Sequence, residues 1–281
     1  MLLRFRFPAV LFPLILSACM ATPTPEAPPQ PKPPAPKPPA PVNQVKGEID
    51  ACLSPLPGRC RFRELPLDLD AQAVSFPGQE YRYQRMLRSL GFVDSNGQDW
   101  VAPAGTYTDG ATIPGLAAAL LGGPRNPRYI AAAAVHDAYC GEVNRDGPVY
   151  QTRPWPEVHR MFYEGLLAGG TSTARAQLMY AAVWLGGPRW TVDAARVATV
   201  QKALPEDGVA PASAPIAAMS LPPPVPSTPE APLLAGAELQ AALAEVKAEI
   251  AAEKPSIGEL DAILVDLPAV QAAEDMPVPA D

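Results

Sequence analysis

Beyond its first sixteen residues the chain has no apolar run approaching the ~20 residues that a bilayer-spanning helix needs. It is also short of positive charge: 22 Lys and Arg stand against 29 Asp and Glu, giving a net charge of −7 and a pI near 5.0. That balance excludes the basic face by which proteins hold nucleic acid, so no nucleic-acid partner is expected. Histidine is nearly absent, with two in 281 residues, and any imidazole chemistry falls to His136 and His159. Cysteine is scarce as well: Cys19, Cys52, Cys60 and Cys140.

Proline is in excess, with 38 residues, most of them in two tracts. Thr22 to Val42 is nearly all Pro, Ala and Lys, a composition that favours extended polyproline II and buries no core. At ~3.1 Å per residue such a tract holds a domain ~60 Å from its attachment point. A second low-complexity stretch begins near Leu204 and contains Pro222-Pro223-Pro224.

The N-terminus reads as an address. Arg4 and Arg6 precede an apolar run from Phe7 to Leu16, followed by Ser17-Ala18-Cys19. A basic region, a short apolar region and small residues before a cleavage point form a signal peptide, residues 1–18. Leu16-Ser17-Ala18-Cys19 resembles the lipobox of bacterial lipoproteins. The resemblance implies a diacylglycerol on the Cys19 sulfur and an acyl chain such as palmitate on its amine, together a firm membrane anchor. Met20, not Asp, follows the cysteine, which in Gram-negative bacteria implies the outer membrane, with the domain facing the periplasm. In that setting Cys52 and Cys60, separated by Pro55, Pro57 and Gly58, are expected to form a disulfide. Cys140 is then the odd thiol: reactive, metal-ligating or buried.

The expected organisation is a lipidated, Pro-rich tether over 19–45, a globular domain over 46–203, and a mostly disordered Pro/Ala-rich tail over 204–281. The tail carries one helical candidate, 236–254, whose Leu239, Leu243, Val246 and Ile250 make a narrow stripe; it is read as a marginal solvated helix. Within the domain, Leu90–Val93, Asn96-Gly97 and Asp99–Ala102 read as strand, turn and strand. Helices are expected over 126–140, 154–168 and 173–185, the last two stopped by Gly169-Gly170 and Gly186-Gly187-Pro188. The expected class is α+β, a small antiparallel β-element packed on about three helices.

Five motifs occur in order: Thr108-Asp109-Gly110-Ala111-Thr112-Ile113-Pro114, Val135-His136-Asp137-Ala138-Tyr139-Cys140, Val158-His159-Arg160-Met161-Phe162-Tyr163, Met179-Tyr180-Ala181-Ala182-Val183 and Gly187-Pro188-Arg189-Trp190. Together they resemble domain-of-unknown-function family 1353 of phages and bacteria, over roughly Trp100 to Trp190. Many relatives place Tyr where Cys140 stands and Asp where His159 stands.

Four readings of the site remain open. A helix bearing His-Asp, packed on a second helix with an orienting polar group, resembles calcium-dependent secreted phospholipases. That resemblance implies His136 as base for water and Asp137 as calcium ligand, with Asp109 and Gly110 helping to hold the ion. Alternatively, His136, Cys140 and His159 ligate zinc, with Asp109 or Asp137 as fourth ligand or orienting group; His136 and Cys140, four apart, share a helix face. A third option is a Cys140 nucleophile with His159 as base. The fourth is a buried hydrogen-bonded cluster of His136, Asp137 and His159 that fixes the helix pair, with Cys140 filling core. The overall expectation is a membrane-anchored envelope lipoprotein carrying a binding or structural module for a cell-wall or envelope protein partner. The alternative is a hydrolase, metal-assisted or phospholipase-like, acting on a lipid or cell-wall bond.

Overall fold

Among the described residues, three small sheets and a stack of helices pack around two apolar clusters. A computed structural model describes residues 52–54, 57–112, 125–192 and 229–274. The signal peptide, Cys19, the tether, Ile113-Pro114, most of the Leu121–Arg125 string and the tract around Pro222 lie outside the described residues.

The first sheet is antiparallel in the order β1–β4–β5, with β1 at Arg61–Arg63, β4 at Leu90–Val93 and β5 at Asp99–Ala102. Asn96-Gly97 makes the turn, with Gly97 at φ 82°. The Asp94 carboxylate organises this turn, accepting from the Asn96 and Gln98 amides and from Trp100 Nε1. The second sheet joins β2 (Val74–Ser75), β3 (Arg82–Arg85) and β6 (Tyr107–Thr108).

Three helices follow: α1 at Ile130–Cys140, α2 at Trp155–Ala168 and α3 at Thr173–Gly186. α1 starts later than expected because Asn126 holds a separate turn, its side chain accepting from Arg128 N and its carbonyl from Tyr129 N and Ile130 N. Ser172 is the N-cap of α3, but its hydroxyl makes no capping hydrogen bond. α1 and α2 pack antiparallel and very closely. A Cβ on Gly165 would stand 3.0 Å from that of Ala132, and one on Gly169 would meet the Arg128 carbonyl at 2.1 Å. Phe92, Trp100, Val135, Val158 and Met161 fill the core between the first sheet and these helices.

The helix expected over 236–254 is present, but its solvated setting and the disorder expected around it are corrected over 229–230 and 257–274. β7 (Arg189–Trp190) pairs with β8 (Pro229–Glu230), and then α4 (Gly236–Glu253), α5 (Ile257–Asp266) and α6 (Pro268–Glu274) follow. The Leu239, Leu243, Val246 and Ile250 stripe is buried on the outer side of α3, not solvated. Small residues on α3 make the fit: a Cβ on Gly186 would lie 2.5 Å from Leu239 Cδ2. Polar ties then fix the position. Asp261 accepts from Arg160 and from Tyr180, and Gln177 Nε2 donates to the Pro255 carbonyl. Among the described residues no helix is long and apolar enough to cross a membrane.

Candidate functional site

The site is assembled around α1. β6 delivers Thr108, and Gly110, at φ 86°, turns the chain so that Asp109 stays beside the helix. Thr108 Oγ1 donates to Asp137 Oδ2 at 2.6 Å and accepts from Gly110 N at 3.0 Å. Asn144, just past the end of α1, locks β6 to the helix. It accepts from Tyr107 N and donates to the carbonyls of Tyr107 and Asp137.

The two histidines meet as expected. His136 Nε2 lies 2.9 Å from His159 Nδ1, a direct hydrogen bond with no room for water between the rings. His159 is fully buried among Trp155 and Trp190, and Phe162 lies against His136. His159 Nε2 is buried without a hydrogen-bond partner among the described residues, and the Pro188 backbone lies near the ring. Either ring can be the donor across the His136–His159 bond, according to the tautomer. Burial lowers the His136 pKa to about 3 and also depresses that of His159, with His136 adding to the effect, so both rings are neutral near pH 7.

Cys140 does not join the histidines as a ligand or nucleophile. Its sulfur lies 3.4 Å from His136 Nδ1 and 3.5 Å from Nε2. Near-equal distances to both nitrogens place it over the ring, out of line with either lone pair, and the thiol donates to the His136 carbonyl at 3.3 Å. Burial, then Asp137 and Asp109, push its pKa well up, the opposite of what a nucleophilic thiolate needs.

The zinc set of His136, Cys140, His159 and Asp109 is likewise not gathered. Two nitrogens on one tetrahedral zinc stand ~3.3 Å apart with both lone pairs aimed at the ion, whereas these two share a proton. Among the described residues, the one group of three His, Cys or carboxylate ligand atoms within 4.8 Å of one another is Cys52, Cys60 and Glu164. There the sulfurs are bonded to each other, and Glu164 accepts from the Ser95 amide and hydroxyl. Calcium fares no better. It takes 6–8 oxygens, and the described residues bring Asp109 and Asp137, with one Asp137 oxygen already held by Thr108.

What remains open is a cleft of about 170 Å³, lined by Tyr83, Tyr107, Asp109, Asp137, His136, Cys140 and Phe162 among others. Burial raises the Asp109 pKa to about 6, opposed by Thr112 and Arg125. Asp137 is driven well up by burial and by Asp109. Tyr83 is pushed to about 12 by burial and by the same two carboxylates. Asp109 and Asp137 therefore share one poorly solvated space. Tyr107, which the sequence offers with Tyr139, Trp155 and Trp190 as lining for a ligand surface, is in the cleft wall, whereas Tyr83 and Asn144 were not legible as site residues: Tyr83 sits on a short strand outside the motifs, and an Asn after a helix is unremarkable. Thr108 stood inside a motif but carried no assigned role.

Part of this chain matches a family model. Residues 84–183 match the family described as "Protein of unknown function (DUF1353)", which the five motifs resembled. The match begins earlier than Trp100 and ends before Gly187–Trp190. Two relatives come from Sinorhizobium fredii (strain NBRC 101917 / NGR234). "Uncharacterized protein y4iH" is 38% identical over 117 residues, 42% of this chain and 45% of that protein. "Uncharacterized protein y4jT" is 37% identical over 102 residues, 36% of this chain and 28% of that protein. The chain thus spans less than half the length of either relative. No solved structure matches it.

Proposed function

We propose that the chain is a lipid-anchored lipoprotein of the bacterial envelope whose family domain is a binding module, with the cleft beside α1 as its ligand site. One observation carries the binding reading. Segments from β3, β6, α1, α2 and the loop after α3 converge on one cleft, while His159 is packed away from solvent and bonded to His136, which is buried but for the edge it gives to the cleft wall. A buried, neutral pair suits a positioning role better than a general base, whose pKa lies near the working pH. The anchor reading rests on the Arg4 to Cys19 pattern and the Pro-rich tether. The Cys52–Cys60 disulfide supports it, since such bonds persist outside the cytoplasm. The partners in reach are the outer membrane through the lipid and cell-wall or envelope components beyond the tether.

Hydrolysis is the second reading, favoured by the carboxylate pair. Asp109, whose pKa burial raises to about 6, stands beside Asp137, whose pKa burial and Asp109 also raise, and two carboxyls perturbed together can serve as acid and base.

The test is metabolic labelling of the full chain in a bacterial host with an alkyne fatty acid, followed by fractionation. We expect label in the membrane fraction, abolished in Cys19→Ser. An unlabelled, soluble chain overturns the anchor.

A further inference from the structure

A groove separate from the cleft runs between the β4–β5 turn, α2, α3 and α5. Its volume is about 420 Å³, more than twice that of the cleft. Four carboxylates line it, Asp94, Glu157, Glu164 and Asp261, against one guanidinium, Arg160. That balance turns away anions such as phosphates and acidic sugars. A cation finds little there either, because three of the four carboxylates are already matched. Asp94 accepts from the Asn96 and Gln98 amides and from the Trp100 indole. Glu164 accepts from the Ser95 amide and hydroxyl, and Asp261 from Arg160 and Tyr180.

The capacity that is left is mostly neutral. Gln98 Oε1 accepts from Arg153, which leaves its Nε2 to donate. Trp184 Nε1, the Asn96 side-chain amide and the exposed Glu157 carboxylate have no partner among the described residues. Trp184 is half-buried, and its ring is braced edge-on by Trp155, over which the Arg189 guanidinium lies in turn. A braced, part-open indole beside amides suits a sugar. The C–H face of a sugar ring lies on the aromatic, and its hydroxyls both donate and accept. An acetamido group completes the match. Its carbonyl answers the two open donors, Gln98 Nε2 and Trp184 Nε1, its N–H answers Glu157, and Met161 and Val265 give its methyl an apolar wall. At ~30 Å³ per water-sized group, 420 Å³ holds about fourteen such groups, the size of one N-acetylated sugar.

We propose that this groove binds a neutral N-acetylhexosamine unit, with Trp184 against the sugar ring and Gln98, Asn96 and Glu157 on its polar groups. The site stands apart from the cleft beside α1 and does not depend on what the cleft holds. The sugar comes either as a soluble oligosaccharide or as part of an insoluble cell-wall glycan.

The test is calorimetric titration of the full chain at pH 7.5 with N,N′-diacetylchitobiose, cellobiose and N-acetylneuraminic acid. We expect saturable diacetylchitobiose binding with Kd on the order of 1 mM, the range for a ligand of this size. Cellobiose, which lacks the acetamido groups, and N-acetylneuraminic acid, which is anionic, bind at least tenfold more weakly. Trp184→Ala and Gln98→Ala each weaken diacetylchitobiose at least tenfold, while Asp146→Asn, an exposed carboxylate outside the groove, leaves it unchanged. Trp184→Phe keeps an aromatic face and recovers part of the Trp184→Ala loss, and circular dichroism melts of the variants exclude unfolding as its cause. Co-sedimentation with purified peptidoglycan that diacetylchitobiose competes away assigns the sugar to the wall; saturable disaccharide binding without co-sedimentation assigns it to a soluble oligosaccharide. No saturation with diacetylchitobiose, equal binding of cellobiose or N-acetylneuraminic acid, or unchanged binding in folded Trp184→Ala and Gln98→Ala overturns the proposal. A chain that incorporates lipid through Cys19 yet binds no sugar keeps its envelope reading and loses this one.

Discussion

The cleft beside α1 and the seam between α3 and the tail are both built from carboxylates, tyrosines and apolar side chains, yet they treat polar groups in opposite ways. At the seam, Asp261 receives Arg160 and Tyr180, so its carboxylate is matched on both oxygens. Around it Leu239, Val246, Leu260 and Leu264 are packed dry. In the cleft, Asp137 has one hydroxyl donor and a second carboxylate as neighbour, and Asp109 has Thr112, Tyr83 and Arg125 to offset its burial only in part. Burial with partners holds a fold together; burial beyond what the partners offset costs stability and leaves capacity for a ligand. Glu164 shows that the difference is not burial alone. It is far more buried than Asp261, whose side chain is 40% exposed, yet Ser95 meets it twice, and its work is to tie α2 to the β4–β5 turn.

Removing the tail gives the largest effect this contrast predicts. Each fully buried Leu, Val or Ile contributes roughly 1.5–3 kcal/mol. The tail places Leu234, Leu239, Leu243, Val246, Ile250, Leu260 and Leu264 in the core, which together outweigh the ~5–15 kcal/mol net stability of a domain. A chain lacking 229–281 is expected to lose cooperative unfolding or to self-associate through α3, as seen by thermal melting and sedimentation. A monomeric truncated chain with an unchanged melt would show that the seam is ornamental and that the family domain stands alone.

A smaller effect of opposite sign is expected in the cleft. Asp109 has a folded-state pKa raised from 3.8 to about 6. Below about pH 4 it is protonated folded or unfolded and costs nothing. As pH rises from about 4 to about 6 the unfolded chain ionises this carboxyl while the folded state, where Thr112, Arg125 and Tyr83 only partly offset its burial, resists, and stability falls until the folded group has ionised as well. The shift corresponds to at most about 3 kcal/mol, less for a group that keeps some solvent. Asp109→Asn is therefore expected to melt above the parent at pH 7.5, with the gap closing below about pH 4. A variant that melts below the parent at pH 7.5 would place the Asp109 carboxylate among the stabilising groups and end the contrast.

Much of this was readable from the chain. Asn96-Gly97 between two apolar runs marks the hairpin, and the glycine and proline stops bound α2 and α3 within a residue. The two histidines, grouped in the sequence by the readings as a zinc set and as a hydrogen-bonded cluster, do meet. The tail was misjudged because its stripe was weighed alone. The missing signal lay on α3, which is buried around nearly its whole circumference, from Ala176 and Gln177 through Tyr180 and Ala181 to Leu185. A helix apolar on all sides needs cover on all sides, and about three helices do not supply it. Spacing also overstated Cys140. An i, i+4 separation puts sulfur and imidazole on one face, but it does not say that the lone pairs converge, and here the sulfur sits over the ring.

The mildest test separates the two regions. α5 begins with a capping box: Ser256 Oγ accepts from Glu259 N, and the Glu259 carboxylate accepts from Ser256 N. Removing such a cap costs typically ~1 kcal/mol, or about 2–4 °C in Tm for a domain of this size. Ser256→Ala is expected to show that loss, with faster amide exchange confined to the first turn of α5. Leu260 and Asp261 lie just inside that turn, so any loosening is passed to Arg160 and Tyr180 before it reaches anything else. The cleft is lined by α1, by Phe162 of α2 and by Val183 of α3 but shares none of these bonds, so Asp109→Asn should shift stability by the same amount in either background, as independent sites do. A difference larger than about 0.5 kcal/mol between backgrounds would mean that α2, which carries both Arg160 and His159, transmits strain from seam to cleft. The tail would then act on the site as well as on the fold.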